Sequence, residues 1–513
     1  MHVFESLLAL LLAATLLSVF ARRFGIPYPT LLALGGALLA FVPGAPRLDL
    51  PPELMLALFV APVLLDAAYD ASLRDLRRNW VPVSSLVLIA VVLTTAAAAI
   101  AAHTIFPHMP WAAAVALGAL LAPPDAVAAL TVLRQVNPPY RMRVVLEGES
   151  LLNDASALLI YRLAIGAVAA GSFSLAAAAP AFGLVFVSSV VVGWLAARPV
   201  GMLTQRIVDA PSSVIVQFVM TFGVWLAAER LGLSGVVTIV VFGLTLARGN
   251  VSRLPPHLRV PSFAVWETVT VVLNVLAFTL VGLRLGPIWS ALADAERVRY
   301  LIAAFAILGL VIVVRMAWVL VHHYADAAIT RLRPVQSAER QAAAPSVKEA
   351  LAVGWCGMRG IVTLAAALAV PAGFPYRDFI QLTAFVVVLG TLLLQGLTLR
   401  PLLRVLAIPE DDLMAKELSL ARTAVLQAAM LALKGDPSPS AERLRQAYAE
   451  ALGQARIGTA PYNSPDSALR RHVVNAGRAV IENLRSSGAI GDDAYRRMEE
   501  ELDWRELSLG REV

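Results

Sequence analysis

Apolar residues along this chain come in long blocks separated by short polar connections. A bilayer core of about 30 Å needs roughly 20 apolar residues per helix. Thirteen segments meet that pattern: 3–21, 28–43, 53–70, 80–103, 111–133, 143–169, 175–203, 212–231, 233–250, 262–284, 299–323, 346–371 and 378–400. The first carries Glu5 near its start and Arg22–Arg23 after it, so it reads as a retained span and not a cleaved leader. From about residue 405 the blocks give way to amphipathic periodicity, which predicts helices over 410–434, 440–453, 464–486 and 491–509. Gly435 stops the first of these, Ser440 caps the second, and Ser464–Pro465 starts the third. The expectation is an all-α polytopic membrane protein, with a membrane part over 1–404 and a small helical tail over 405–513.

Composition supports this division. Of 513 residues 58% are hydrophobic and 15% are charged, against roughly 25% charged in soluble domains. Disorder over most of the chain and a disulfide scaffold are both excluded, the second because Cys356 is the single cysteine. The net charge of +6 hides two regions: residues 1–404 hold 28 basic and 19 acidic residues, and 405–513 hold 14 and 17. The basic residues cluster in alternate connections, at Arg22/Arg23, Arg74/Arg77/Arg78, Arg134/Arg141/Arg143, Arg198/Arg206, Arg248/Arg253/Arg259, Arg331/Arg333/Arg340/Lys348 and Arg400/Arg404. The other connections hold only Arg47, Arg230, Arg284, Arg297, Arg299 and Arg377. Basic loops face the cytoplasm. The pattern therefore predicts an N-terminus outside and a C-terminus inside a cell membrane, and gives no reason to invoke nucleic acid.

Charges at bilayer depth are expensive and mark function by default. Asp125 follows Pro123 and Pro124 in 117-LGALLAPPDAVAALTVL-133. The prolines remove two backbone donors and break the helix, leaving carbonyl and carboxylate oxygens side by side for a small hard cation. In 147-EGESLLNDASALLIYRLA-164, Ser150 and Asp154 lie one turn apart and share a face. Asn153 points elsewhere, and Glu149 lies on a neighbouring face. Arg359 sits among Gly354, Gly357 and Gly360 in a second interruptible span. It must stay charged and needs a partner, for which Glu149 is the choice. Arg162 and Arg315 also lie within spans. Asp66 lies in 60-VAPVLLDAAYDASL-73, with Asp70 one turn nearer water. The interrupted spans are the fifth and twelfth. They correspond if spans one to six and eight to thirteen are two inverted halves joined by the seventh.

The stretches LLDAAYD, GALLAPPDAVAAL, GESLLNDASALLIYRLA and GWCGMRGIVTLAAALAVP, in this order, resemble the monovalent cation:proton antiporter family of the NhaP type, the sodium/proton exchangers. The resemblance covers roughly residues 1–405 and leaves the tail aside. It implies an NhaA-like fold of two inverted six-helix repeats, and a homodimer serving pH homeostasis. A core within 80–169 and 299–404 carries the ion past a scaffold within 3–70 and 175–284 by an elevator movement. It implies sodium held by Asp125, Asp154, Ser150 and Asp66, a contribution from the Pro124 carbonyl, and a structural ion pair between Glu149 and Arg359. Wider relatives with two adjacent aspartates where this chain has Asn153–Asp154 are electrogenic, so the resemblance implies electroneutral one-for-one exchange here, and Asn153 is expected to donate a hydrogen bond that orients the unwound helix.

The residues lead to the same chemistry. Two nearby carboxylates, Asp125 and Asp154, repel, and either a proton or a cation relieves that repulsion. Such sites titrate as a pair. Competition then produces exchange with no cofactor beyond the transported sodium ion and proton. A potassium/proton antiporter or potassium efflux system is the alternative within the class. A remote one is an intramembrane protease built on 232-GLSG-235. The seven histidines lie at span ends, in loops or in the tail, so its buried base is missing.

Overall fold

Twenty apolar side chains in a row can be kept from water only if the backbone satisfies its own hydrogen bonds, and helices do this within one segment. In the computed structural model, which describes residues 2–24, 26–43, 51–133, 138–171, 175–250, 255–332, 346–409, 413–457, 465–487 and 489–508, every regular element is a helix. Arg47, Arg134, Arg253, Arg333, Arg340 and Ser464 lie outside the described residues. The chain divides into two compact units, Met1–Glu410 and Asp411–Val513.

The first unit begins with α1 (His2–Phe24) and α2 (Tyr28–Leu39). Next come α3 (Pro52–Met55), a wide π stretch (Leu56–Val60) and α4 (Ala61–Asp70), then the short α5 (Leu73–Arg78). A second wide stretch, Ser85–Ala90, joins α6 (Trp80–Ser84) to α7 (Val91–Ile105). Neither wide stretch nor α5 has a hydropathy signature. Then follow α8 (Trp111–Leu121), α9 (Ala126–Leu133), α10 (Tyr140–Ala170), α11 (Leu175–Thr204), α12 (Ala210–Arg230), α13 (Gly235–Asn250), α14 (Pro256–Leu283), α15 (Leu285–Ala291) and α16 (Asp294–Leu332). The unit ends with α17 (Val347–Trp355), α18 (Ile361–Leu368) and α19 (Arg377–Leu406). Among the described residues seven helices are long and apolar enough to cross a membrane, and α2, α8 and parts of α1 and α13 are shorter apolar helices.

Small residues bring these helices together. Gly36 on α2 faces Gly282 on α14 so closely that a methyl on either would strike the other backbone. Gly118 on α8 meets the Thr95 backbone on α7 in the same way. Such close crossings replace the hydrophobic drive that lipid cannot supply. Large apolar side chains remain exposed on the outer faces, among them Leu8, Leu12 and Leu16 on α1 and Leu184, Val187 and Val191 on α11. A surface this apolar belongs in contact with lipid or another protein.

The turn between α4 and α6 is clasped from several sides. Tyr140 Oη donates to Asp75 (2.9 Å), Arg74 Nε donates to it (3.2 Å), and Ser72 Oγ accepts the Asp75 N–H (3.3 Å). Burial pushes the Asp75 carboxyl up, but hydrogen bonds involving Ser72, Tyr140 and Arg74 outweigh it and hold the group below the usual carboxylate range.

The second unit contains α20 (Leu413–Ala432), α21 (Pro439–Ile457), α22 (Pro465–Ser486) and α23 (Asp492–Ser508). Val474, Ile481 and Leu502 form its small buried cluster. Arg478 on α22 pairs with Asp503 (2.5 Å) and Glu506 (2.6 Å) on α23.

Candidate functional site

Two helices break inside the first unit, and their broken segments meet. The α8–α9 break spans residues 122–125, where Pro123 and Pro124 leave no N–H to continue the helix. The α17–α18 break spans 356–360 and contains Gly357 and Gly360. The Asp125 N–H donates to the Met358 carbonyl (2.6 Å), which ties the two segments together.

Four half-helix ends converge there, and the charges match them. Helix N-termini carry unsatisfied N–H groups and partial positive charge, and C-termini carry the opposite. Asp125 sits at the N-terminal ends of α9 and α18. Its carboxylate accepts the Val127 N–H (2.8 Å) and a second backbone hydrogen bond from Ile361. Arg359 is fully buried and serves the other pair of ends. Its guanidinium donates to the carbonyls of Leu121 (2.9 Å), Ala122 (3.3 Å) and Gly357. Its own N–H donates to Thr391 Oγ1 on α19 (3.0 Å). Gly360 is required for this approach, because a Cβ there would overlap the Asp125 carboxylate.

The expected Glu149–Arg359 pair is replaced by another. Glu149 pairs with Arg315 on α16, through Nη1–Oε1 at 2.5 Å and Nη2–Oε2 at 2.9 Å. Both side chains are about 2% exposed or less. Arg315 also donates to the carbonyls of Gly354 (3.2 Å) and Val353 (3.3 Å). The physical reason is that Arg359 finds its partners in backbone carbonyls freed by the two breaks. That leaves the carboxylate to the other buried arginine.

Beside the crossing lies a cavity of about 1030 Å3. It brings together Asp66, Asp125, Ser150 and Asp154. Asp125 and Asp154 interact electrostatically. Pro123 lines the cavity and Pro124 does not; the Pro124 carbonyl instead accepts a hydrogen bond from Asn153 Nδ2 (3.0 Å). Asn153 thereby fastens α10 to the broken segment. The cavity reaches Asp70 at the end of α4, Arg23 at the end of α1 and Arg400 near the end of α19. It therefore opens toward the face of the basic connections.

Several cavity residues were missed in the sequence. Glu147 precedes the Ser150/Asp154 face, and α14 contributes Glu267, Thr270 and Asn274. The spacing of three and four within an apolar helix is the signal that marks this row. Thr270 Oγ1 and Asn274 Oδ1 are buried with no hydrogen-bond partner among the described residues. Among the described residues no group of three or more His, Cys, Asp or Glu could hold a resident metal ion.

Residues 7–405 match the family described as sodium/hydrogen exchanger, transmembrane. The chain belongs to the sodium/hydrogen exchanger family. A Mycobacterium tuberculosis protein named as an uncharacterised Na+/H+ exchanger is 30% identical over 98% of this chain and 95% of its own length. The low-affinity Na+/H+ antiporter NhaS1 of Synechocystis is 29% identical over 84% of this chain and 80% of its own. A Bacillus pumilus antiporter named for sodium, potassium, lithium and rubidium is 30% identical over 77% of this chain and 60% of its own. The sodium proton antiporter MjNhaP1 of Methanocaldococcus jannaschii shares the fold, with a TM-score of 0.61 at 18% identity over 79% of this chain and 100% of that one. This exchanger is thus a multi-pass membrane antiporter and not an enzyme.

Proposed function

We propose that the chain exchanges one monovalent cation, sodium first among them, for one proton, and that Asp125 and Asp154 bind the two in competition. The observation that carries this reading is the one-sided cavity lined by Asp66, Asp125, Ser150 and Asp154 beside two broken helices. A dehydrated cation needs several oxygen ligands, and these residues supply carboxylate and hydroxyl oxygens at one place. A proton on either carboxylate lowers its charge and weakens cation binding, so loading one releases the other. Arg359, the strong base beside the site, is engaged with carbonyls and cannot deliver a proton. The exchangeable charge is then one unit, and transport is electroneutral.

The wider reading is thirteen spans in two inverted halves, with α6–α10 and α16–α19 as the moving core and the remaining spans as a dimerising scaffold. It is supported by the meeting of one break from each half. The cavity faces the cytoplasm of a cell membrane by the charge of its adjoining connections. The relative named for four alkali cations supports a broad range in which lithium and potassium also serve. Purified protein in liposomes should dissipate an imposed pH gradient when sodium is added, and Asp154→Asn should abolish this without loss of folding. Near-normal flux in that variant would refute the site. An imposed membrane potential that drives or inhibits the flux would refute electroneutrality.

A further inference from the structure

The end of the site away from the cavity is closed by contacts the exchange chemistry does not use. Arg162 follows Asp154 by eight positions on α10, about 12 Å further along the axis. Its Nη2 donates to both carboxylate oxygens of Glu229, at 2.8 and 2.9 Å, and its Nη1 donates to the Leu233 carbonyl at 3.2 Å. Glu229 stands in the last turn of α12, and its Oε1 also accepts the N–H of Gly235, the first residue of α13, at 3.2 Å. The carboxylate is therefore held at the positive end of α13 and presented to Arg162. Gly235 cannot carry a side chain here, since a Cβ would lie 2.9 Å from the Trp225 ring and 3.0 Å from Glu229.

The neighbouring residue grips a different element. Tyr161, turned about 100° around α10, donates to the Ala366 carbonyl of α18 at 3.1 Å. Tyr161 thus binds α10 to a half-helix of the crossing, while Arg162 binds it to the α12–α13 turn. An apolar layer packs α10 against α13 here: Ala155 and the cavity-lining Leu151 belong to one buried cluster with Val236, Val237 and Val240 of α13.

We propose that Arg162 and Glu229 form a latch that holds the exchanger in its cavity-open form, and that this latch parts before Asp125 and Asp154 reach the opposite face. The inference rests on the exchange reading above, in which α10 and α18 travel with the ions while α12 and α13 stay. Exposure separates the two ion pairs of α10 by role. Arg315 and Glu149 are 2% and 1% exposed, and parting them would strand buried charge. Arg162 and Glu229 are 46% and 35% exposed, so water can take up both ions when they separate. A pair of this kind biases a two-state equilibrium by about fivefold at most. That is enough to favour one form without trapping it.

The test uses the full chain with its single cysteine removed (Cys356→Ala) and a reporter cysteine placed in the apolar layer (Val237→Cys), in sealed vesicles. A membrane-impermeant maleimide is added on the face opposite the cavity. Arg162→Gln and Glu229→Gln should each raise the labelling rate from that face about threefold to fivefold, with no rise from the cavity face. Unchanged labelling in both variants overturns the latch. An equal rise from both faces also overturns it, because that marks general loosening. As a second measurement, Arg162→Cys/Glu229→Cys bridged by a short bifunctional thiol reagent should lose sodium-driven proton flux and regain it on cleavage. Full flux through the bridged protein overturns the proposal. Labelling is read without any cation gradient, so absent flux in the unmodified protein would count against the exchange reading alone.

Discussion

Removing either partner of the Glu149–Arg315 pair destabilises the protein, but the two removals differ in size and in pH dependence. Both groups are almost fully buried and joined by two short hydrogen bonds. Breaking such a pair costs roughly 3–5 kcal/mol, because a charge is left without compensation. Glu149→Gln strands Arg315, which stays charged at any accessible pH. The carbonyls of Gly354 and Val353 remain as its partners, but they carry no net charge. Arg315→Met strands Glu149, which can take up a proton. Proton uptake by any carboxylate becomes easier by about 1.4 kcal/mol for each unit the pH falls. In the Arg315→Met variant the folded state binds a proton that the unfolded state lacks, so stability falls as pH rises. The assay is thermal unfolding in detergent at pH 5 and pH 7. Arg315→Met should regain most of its lost stability at pH 5, and Glu149→Gln should regain none. The double variant Glu149→Met/Arg315→Met should melt above Glu149→Gln, since apolar replacement of both partners leaves no stranded charge. A Glu149→Gln protein as stable as the parent, or an Arg315→Met protein indifferent to pH, would refute the reasoning.

Three further outcomes are expected. Gly360→Ala should raise the apparent KM for sodium about fivefold or more, because its Cβ displaces the Asp125 carboxylate and overpacking costs about 1–3 kcal/mol; an unchanged KM would contradict the geometry. Arg359→Lys should lower thermal stability clearly although charge is kept, since an ammonium cannot fork to carbonyls on two helix ends; a parental melting temperature would show that charge alone suffices. Asp75→Asn should lower stability at pH 7 through the clasp with Tyr140. Asp75 is held below its ordinary value, so its contribution is full above about pH 4 and fades below; a gap between variant and parent that already closes at pH 6 would contradict this.

The breaks were legible because Pro123–Pro124 and the glycines around Arg359 leave a direct mark in one-dimensional sequence. The carboxylates were legible because a charge within an apolar block is conspicuous. The place of Asp154 beside Ser150 followed from one helical turn of spacing. The partner of Glu149 was not legible. Two arginines competed for it, and the one that wins is 166 positions away. The choice turned on backbone carbonyls that exist only once two distant helices have opened against each other, and no side-chain pattern reports those. Asn153 was expected to donate a hydrogen bond that orients the broken helix, and it does so to the Pro124 carbonyl, the oxygen that the resemblance gave to the cation. The α14 row was overlooked because Thr270 and Asn274 carry no charge to draw attention.

The wide π stretches bear on how the chain tolerates changes of length. A π turn holds one residue more than an α turn. One such stretch, Leu56–Val60, leads directly into the helix that carries Asp66, and the other, Ser85–Ala90, lies within the helix preceding the first break. At these two points a single residue can be deleted and the wide turn will close into an ordinary one. The helix stays whole and everything downstream keeps its face. A deletion of the same size inside α10 would have no such slack, and would turn the residues on one side of it by about 100° relative to those on the other. Single-residue gaps between this exchanger and its relatives should therefore collect at 56–60 and 85–90 and be absent between 147 and 162.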